Sequence, residues 1–234
     1  MNGPVVVTAA TDLPITLAQA KAYAQIDTSD YDSMVTVFIK EAVDVIERRT
    51  GQQLMSATLE HMWDVFPCSA MNIYGMRLPG APYGRLQSGR PFWPNDDSSF
   101  TSGLDNRLPW LTLDRRPVQS VTSVKYYDPV GTLTTLDTSR YYTDLNARPP
   151  RIIPVYGYPW PVTQVGRPAS VVVRFVAGYA LAADIPASLL KPVYALVSHF
   201  WKNREPVMTS GAIPKVMPYL VDDILDLHNV QGYR

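Results

Sequence analysis

Hydrophobic positions in the first part of the chain recur at helical spacing. Thr16 precedes Leu17, Ala20 and Ala24, with Pro14 just upstream, which predicts a short helix over residues 17–26. Ser29 stands three positions ahead of Asp32, a shorter-armed relative of a capping box, and Tyr31, Met34, Phe38, Ala42, Val45 and Arg49 then share one helix face up to Gly51. On that helix Asp44 and Arg48 make an i, i+4 pair, and Arg48 and Arg49 suit the negative end of the dipole. The period changes to two at Ala57. Leu59, His61, Trp63 and Val65 alternate with Glu60, Met62, Asp64 and Phe66 until Pro67, which is strand spacing.

No period survives over residues 68–107, where five glycines and four prolines are interleaved with Tyr74, Tyr83, Phe92, Trp93 and Phe100. A structureless stretch this long is unusual inside a domain, and its aromatics favour an arm that contacts a partner over a plain linker. Strand signals resume at Leu111 and Leu113, then over 121–127 and 132–136, the last two joined by the turn Asp128-Pro129-Val130-Gly131. Residues 141–145, 152–156 and 171–176 add three more. The run 170–176 is almost continuously β-branched or aromatic, the pattern of a strand buried on both faces. Helical spacing returns with Leu189, Val193, Leu196, Val197 and Phe200, from Pro186 to a stop before Pro206, and Leu220, Ile224, Leu225 and Leu227 predict a last helix over about 218–228.

The order of helices, strands and helices predicts an α+β fold. Its helical layer is discontinuous in sequence, built from residues 1–54 and 183–234, with a mainly antiparallel β domain, 55–182, inserted between them and carrying the irregular loop 68–107.

Composition narrows the function. The 234 residues are 46% apolar and 18% charged, which excludes a charge-driven disordered chain, while 21 prolines, about 9% against a usual ~5%, exclude a plain helical bundle. Bases and acids number 21 each, so no global field draws the chain to nucleic acid or an anionic membrane. The balance hides segregation: residues 1–66 carry four bases and nine acids, 67–220 sixteen and nine, and 221–234 one and three. Such asymmetry suits head-to-tail contacts between copies as well as an ordinary patchy surface. Cys68, the single cysteine, points to folding in a reducing compartment. No export signal is expected, since Met1 to Leu13 has no basic stretch followed by an apolar core, and no membrane span, since the apolar run 171–183 is short and holds Arg174.

No catalytic constellation emerges. His61 alternates on a strand, His199 lies on an apolar helix and His228 is near the end of the sequence. The nucleophile-elbow, zinc-protease and phosphate-loop motifs are all missing, and Cys68 lacks the neighbours of a metal or redox site. Asp222-Asp223 reads as a solvated helix face rather than a cation site, and Asp96-Asp97 sits in the loop. Arg77, Arg85, Arg90 and Arg107 among the loop aromatics could grip single-stranded nucleic acid, but glycine and acid dilute that signal. The expectation is a protein with no reaction, cofactor or metal.

Ordered landmarks carry a resemblance. The 17–26 helix, Glu47-Arg48-Arg49-Thr50-Gly51-Gln52-Gln53-Leu54, Leu113 to Pro117 followed by Val118-Gln119-Ser120-Val121, and Ala177-Gly178-Tyr179 are the first of them. Asp184-Ile185-Pro186, His199-Phe200-Trp201-Lys202-Asn203-Arg204-Glu205 and the closing Tyr233-Arg234 complete the series. In order and spacing this resembles the head-tail connector family of tailed bacteriophages, also found in gene transfer agents. The resemblance implies a structural adaptor, or head-completion protein, that docks as a ring of about twelve copies beneath the portal. It implies a place in the virion neck between capsid and tail, after synthesis in the host cytoplasm. The ring would extend the DNA channel without sequence-specific DNA binding and offer a platform to further neck or tail-completion proteins, with no membrane involved. The alternative is a DNA-packaging accessory or DNA-contacting protein. The 68–107 insertion departs from the shorter family pattern. Expected partner-binding residues are Tyr83, Phe92, Trp93 and Phe100 in the loop, and Leu227, Tyr233 and Arg234 in a carboxy-terminal docking segment.

Overall fold

A computed structural model describes residues 3–67 and 110–203. The helices are α1 (Leu17–Ala24), α2 (Asp32–Thr50) and α3 (Ala187–Lys202), and the strands are β1 (Val5–Thr8), β2 (Ala57–Trp63), β3 (Leu111–Thr112), β4 (Val118–Tyr127), β5 (Leu133–Thr135), β6 (Tyr141–Asp144), β7 (Arg151–Pro154) and β8 (Val171–Ala177). The fold is α+β, as expected. The strands form a five-stranded sheet in the order β1-β2-β8-β4-β5 and a three-stranded sheet in the order β3-β7-β6, with all neighbours antiparallel. The predicted 218–228 helix and the 68–107 arm lie outside the described residues.

Local chemistry accounts for the helix ends. Thr16 accepts from the Gln19 N–H at 3.2 Å while the Gln19 amide oxygen accepts from the Thr16 N–H at 2.9 Å, a reciprocal cap that satisfies two otherwise orphaned donors. At α2 the cap expected from Ser29 does not form. The helix starts after Tyr31, which makes no side-chain cap, and Asp32 instead turns to Lys21 of α1, 2.6 Å away. At the other end Gly51 takes a left-handed φ of 67° and its N–H returns to the Glu47 carbonyl at 3.1 Å, and the Asp44–Arg48 pair forms at 2.7 Å.

Two apolar cores follow. In the first, Val35, Ile39, Ala42 and Ile46 of α2 pack with Ala20 and Ala24 of α1 and with Leu189, Val193, Leu196 and Val197 of α3. The buried stripe of α2 is therefore rotated by one position from the expected face. Met34, Phe38 and Val45 are only half-buried because α3 arrives on the Ile39 side. The second core holds Leu59, Leu111, Leu113, Val124, Ile152, Val173 and Phe175, with Phe66 stacked on Trp160 at 4.8 Å between ring centres.

Two strands differ from expectation. β8 is not buried on both faces: Val171, Val173, Phe175 and Ala177 are enclosed while Val172, Arg174 and Val176 are half-open. Arg174 pairs across the sheet with Glu60 at 2.5 Å on that open face. A sheet with one covered face needs apolar residues only at alternate positions. β1 was not expected. All four of its residues are exposed, so no alternation marks it, and backbone pairing with β2 holds it in place despite an irregular register between Val6 and Thr8.

Candidate functional site

The residues that carry polar chemistry converge where the two cores meet. The carboxylate of Glu47, in the last turns of α2, accepts from the Leu54 N–H and the Gln53 side-chain amide, each at 2.8 Å. Arg115, from the segment before β4, donates to the Glu47 carbonyl at 2.6 Å. The Gln53 N–H donates to the Arg116 carbonyl at 2.7 Å, the Gly178 N–H to that of Pro117 at 2.8 Å, and the Ser56 N–H to that of Tyr179 at 3.0 Å. Gln119 adds its side-chain amide to the Gly178 carbonyl at 2.7 Å. Three segments far apart in sequence are thus tied by main-chain bonds into a joint after α2, before β4 and after β8.

Burial sets the electrostatics of this joint. It pushes the Glu47 carboxyl above its ordinary range, against the opposing pull of the Leu54 N–H, Arg115 and Gln53. It also lowers Arg116, helped by Arg148, and raises the Tyr179 hydroxyl against the pull of Arg116. The arrangement holds backbones in place and leaves no nucleophile beside a base.

Among the described residues, no group of three or more His, Cys, Asp or Glu side chains could hold a metal ion. His61 is buried on β2, its ring 4.0 Å from that of Trp63 and its Nε2 3.8 Å from Asp114. His199 closes α3, where the Asn203 side-chain amide contacts its ring nitrogen and its carbonyl. An open cleft of about 320 Å³ lies between Tyr126, Leu136, Arg140 and Trp160. Its Asp137 carboxyl is lowered by accepting from the Ser139 N–H. No described helix is long and apolar enough to cross a membrane.

Surface features are more distinctive. The outer strands of the five-stranded sheet expose Val5, Val6 and Val7 at one edge and Leu133 at the other. Three aromatic pairs, Tyr23 with Tyr194, Tyr31 with Trp201 and Phe38 with Phe200, tie α3 to the rest of the helical layer at 5.3, 5.3 and 6.0 Å. Sequence reasoning singled out neither surface. A valine run ahead of the first helix was the available signal for the first. The expected partner residues Tyr83, Phe92, Trp93, Phe100, Leu227, Tyr233 and Arg234, together with His228, Cys68 and the two acidic pairs, lie outside the described residues.

Comparison with known proteins bears on the architecture. No family model and no curated protein matches the sequence. Solved structures do. A chain in the virion of the native gene transfer agent particle is 17% identical, with a TM-score of 0.64, over 97% of this chain and 94% of that one. Chains in the neck of the empty particle, computed with C6 symmetry, and in the neck of the native particle, computed with C12 symmetry, are both 20% identical over 97% of this chain and 95% of theirs. Their TM-scores are 0.65 and 0.63.

This is a fold found in the gene transfer agent neck. The resemblance read from the sequence extended to gene transfer agents, and the solved structures of like fold come from such particles. The landmarks 47–54, 113–121 and 177–179 behind that resemblance are the segments that meet at the joint. In this neck fold their spacing along the chain reflects a meeting in space.

Proposed function

We propose that the protein is a structural subunit of the neck of a phage-like particle, a head-tail connector that carries out no chemical reaction. One observation carries this reading: likeness to neck and virion chains extends over nearly the whole length of both partners. In this reading about twelve copies form a closed ring, since rotational symmetry is built from one head-to-tail contact repeated until it closes. The ring sits beneath the portal in the virion neck, continues the DNA channel and gives further neck or tail-completion proteins a surface to bind. DNA passes through without being read.

Residues 1–54 and 183–234 form one unit of the subunit and 55–182 an inserted one, with Tyr83, Phe92, Trp93 and Phe100 on an arm toward a second protein. Leu227, Tyr233 and Arg234 belong to a tail that docks on the portal. Electron microscopy of particles carrying a tagged copy tests the reading. A ring of tagged subunits between portal and tail is the expected result, and tag density anywhere else, or a two-fold dimer on the portal, overturns it.

A further inference from the structure

Among the described residues the five-stranded sheet ends in two strands that have one neighbour each. Among the described residues β1 bonds only to β2, and β5 only to β4, so each presents an outer row of backbone donors and acceptors. Soluble proteins blunt such edges with charges, short strands and bulges, because a bare edge invites pairing with another chain; these strands are short and β1 is irregular in register, but both lack the charges. Here neither strand carries a charge: one reads Val5-Val6-Val7-Thr8 and the other Leu133-Thr134-Thr135. Val5, Val6 and Val7 are exposed along the first, and Leu133, 47% exposed, is the one apolar residue of the second.

We propose that these two edges are the subunit's contact with its own neighbours, β1 of one copy adding to β5 of the next. The occupant is a second copy because the two edges lie at opposite ends of one sheet and both lack charge. A foreign protein would need only one of them, whereas a chain of identical subunits uses both, one for each neighbour. Pairing of unlike edges is a heterologous contact, which repeats from copy to copy and makes a ring where the rotation between copies closes. This rests on the ring reading above and names the surface that builds it. Main-chain bonds supply the affinity, and the valines supply apolar area at the seam.

Disulfide trapping in assembled particles tests it. In a full-length chain with Cys68→Ser, cysteines replace Val5, Val6 or Val7 in combination with Leu133, Thr134 or Thr135, a panel that covers the neighbouring registers. Particles are assembled with the variant as their sole source of this chain and then oxidised. At least one combination should give a ladder of covalent dimers, trimers and higher species that collapses on reduction, while single-cysteine controls stop at dimers. Particles that contain the chain in a ring yet give no ladder overturn the edge contact and leave the ring reading standing. Particles whose neck lacks the chain overturn the ring reading itself. Independently, Val5→Lys with Val7→Lys should leave circular dichroism and melting unchanged, because those side chains are exposed, and should reduce incorporation into particles at least tenfold. Full incorporation of that variant counts against the proposal.

Discussion

Gly178 lies so close to the Met55 carbonyl that a Cβ at this position would overlap it. The contact draws the end of β8 against the segment leading into β2, and it occurs at a φ of +110°, where any side chain is strained.

Gly178→Ala should therefore destabilise the protein by about 2–4 kcal/mol, combining backbone strain with a clash against rigid main chain. Urea denaturation followed by circular dichroism measures this. Alanine at Gly157, where a Cβ meets nothing within 4 Å although φ is +82°, isolates the strain and should cost less.

Burial raises the Glu47 carboxyl above its ordinary value of 4.5, so the folded protein holds this proton more tightly than the unfolded chain does. That contribution to stability is full below pH 4.5 and is lost as pH rises through the folded-state value. Glu47→Gln keeps an oxygen for the Leu54 and Gln53 donors and should remove this downward slope from a stability-against-pH curve. Glu47→Ala leaves those donors without their acceptor and should cost about 1–3 kcal/mol at neutral pH.

The rotated stripe of α2 makes a paired prediction. Ile39, fully enclosed between α1, α2 and α3, should cost about 2–5 kcal/mol when replaced by alanine. Met34→Ala, on the half-open face, should cost about 1 kcal/mol or less. Equal losses for the two would mean that the helix buries a wider arc than its exposure pattern shows.

Truncation after His228 addresses the docking tail. Melting behaviour should be unchanged and binding to purified portal protein should fall at least tenfold. Retained binding, or loss of folding, would remove the tail from the connector reading.

Legibility from sequence followed the range of the interactions. The Thr16 cap, the Gly51 stop and the β4–β5 hairpin depend on residues within a few positions of one another, and all are readable from one stretch of chain. The α2 face was not, because Met34, Phe38 and Val45 make as good a stripe as Val35, Ile39 and Ile46. The choice belongs to α3, whose sequence lies more than a hundred residues away. Glu47 likewise reads as one more surface acid until Arg115, 68 positions later, folds over the end of its helix. β1 gave no sign through alternation, since an exposed edge strand has no inner face to alternate with.

Closure of the helical core by α3 has a consequence for synthesis. Ribosomes expose α1 and α2 with Ile39 and Ile46 still uncovered, and the residues that cover them, Leu189 to Val197, belong to the last described helix to be made. At a translation rate of 5–20 residues per second the wait is roughly 7–30 s. Throughout that interval the nascent chain displays an amphipathic hairpin with nothing to bury it, which makes it a client for chaperones that bind at the tunnel exit. Chains broken off before residue 187 would keep that hairpin uncovered permanently.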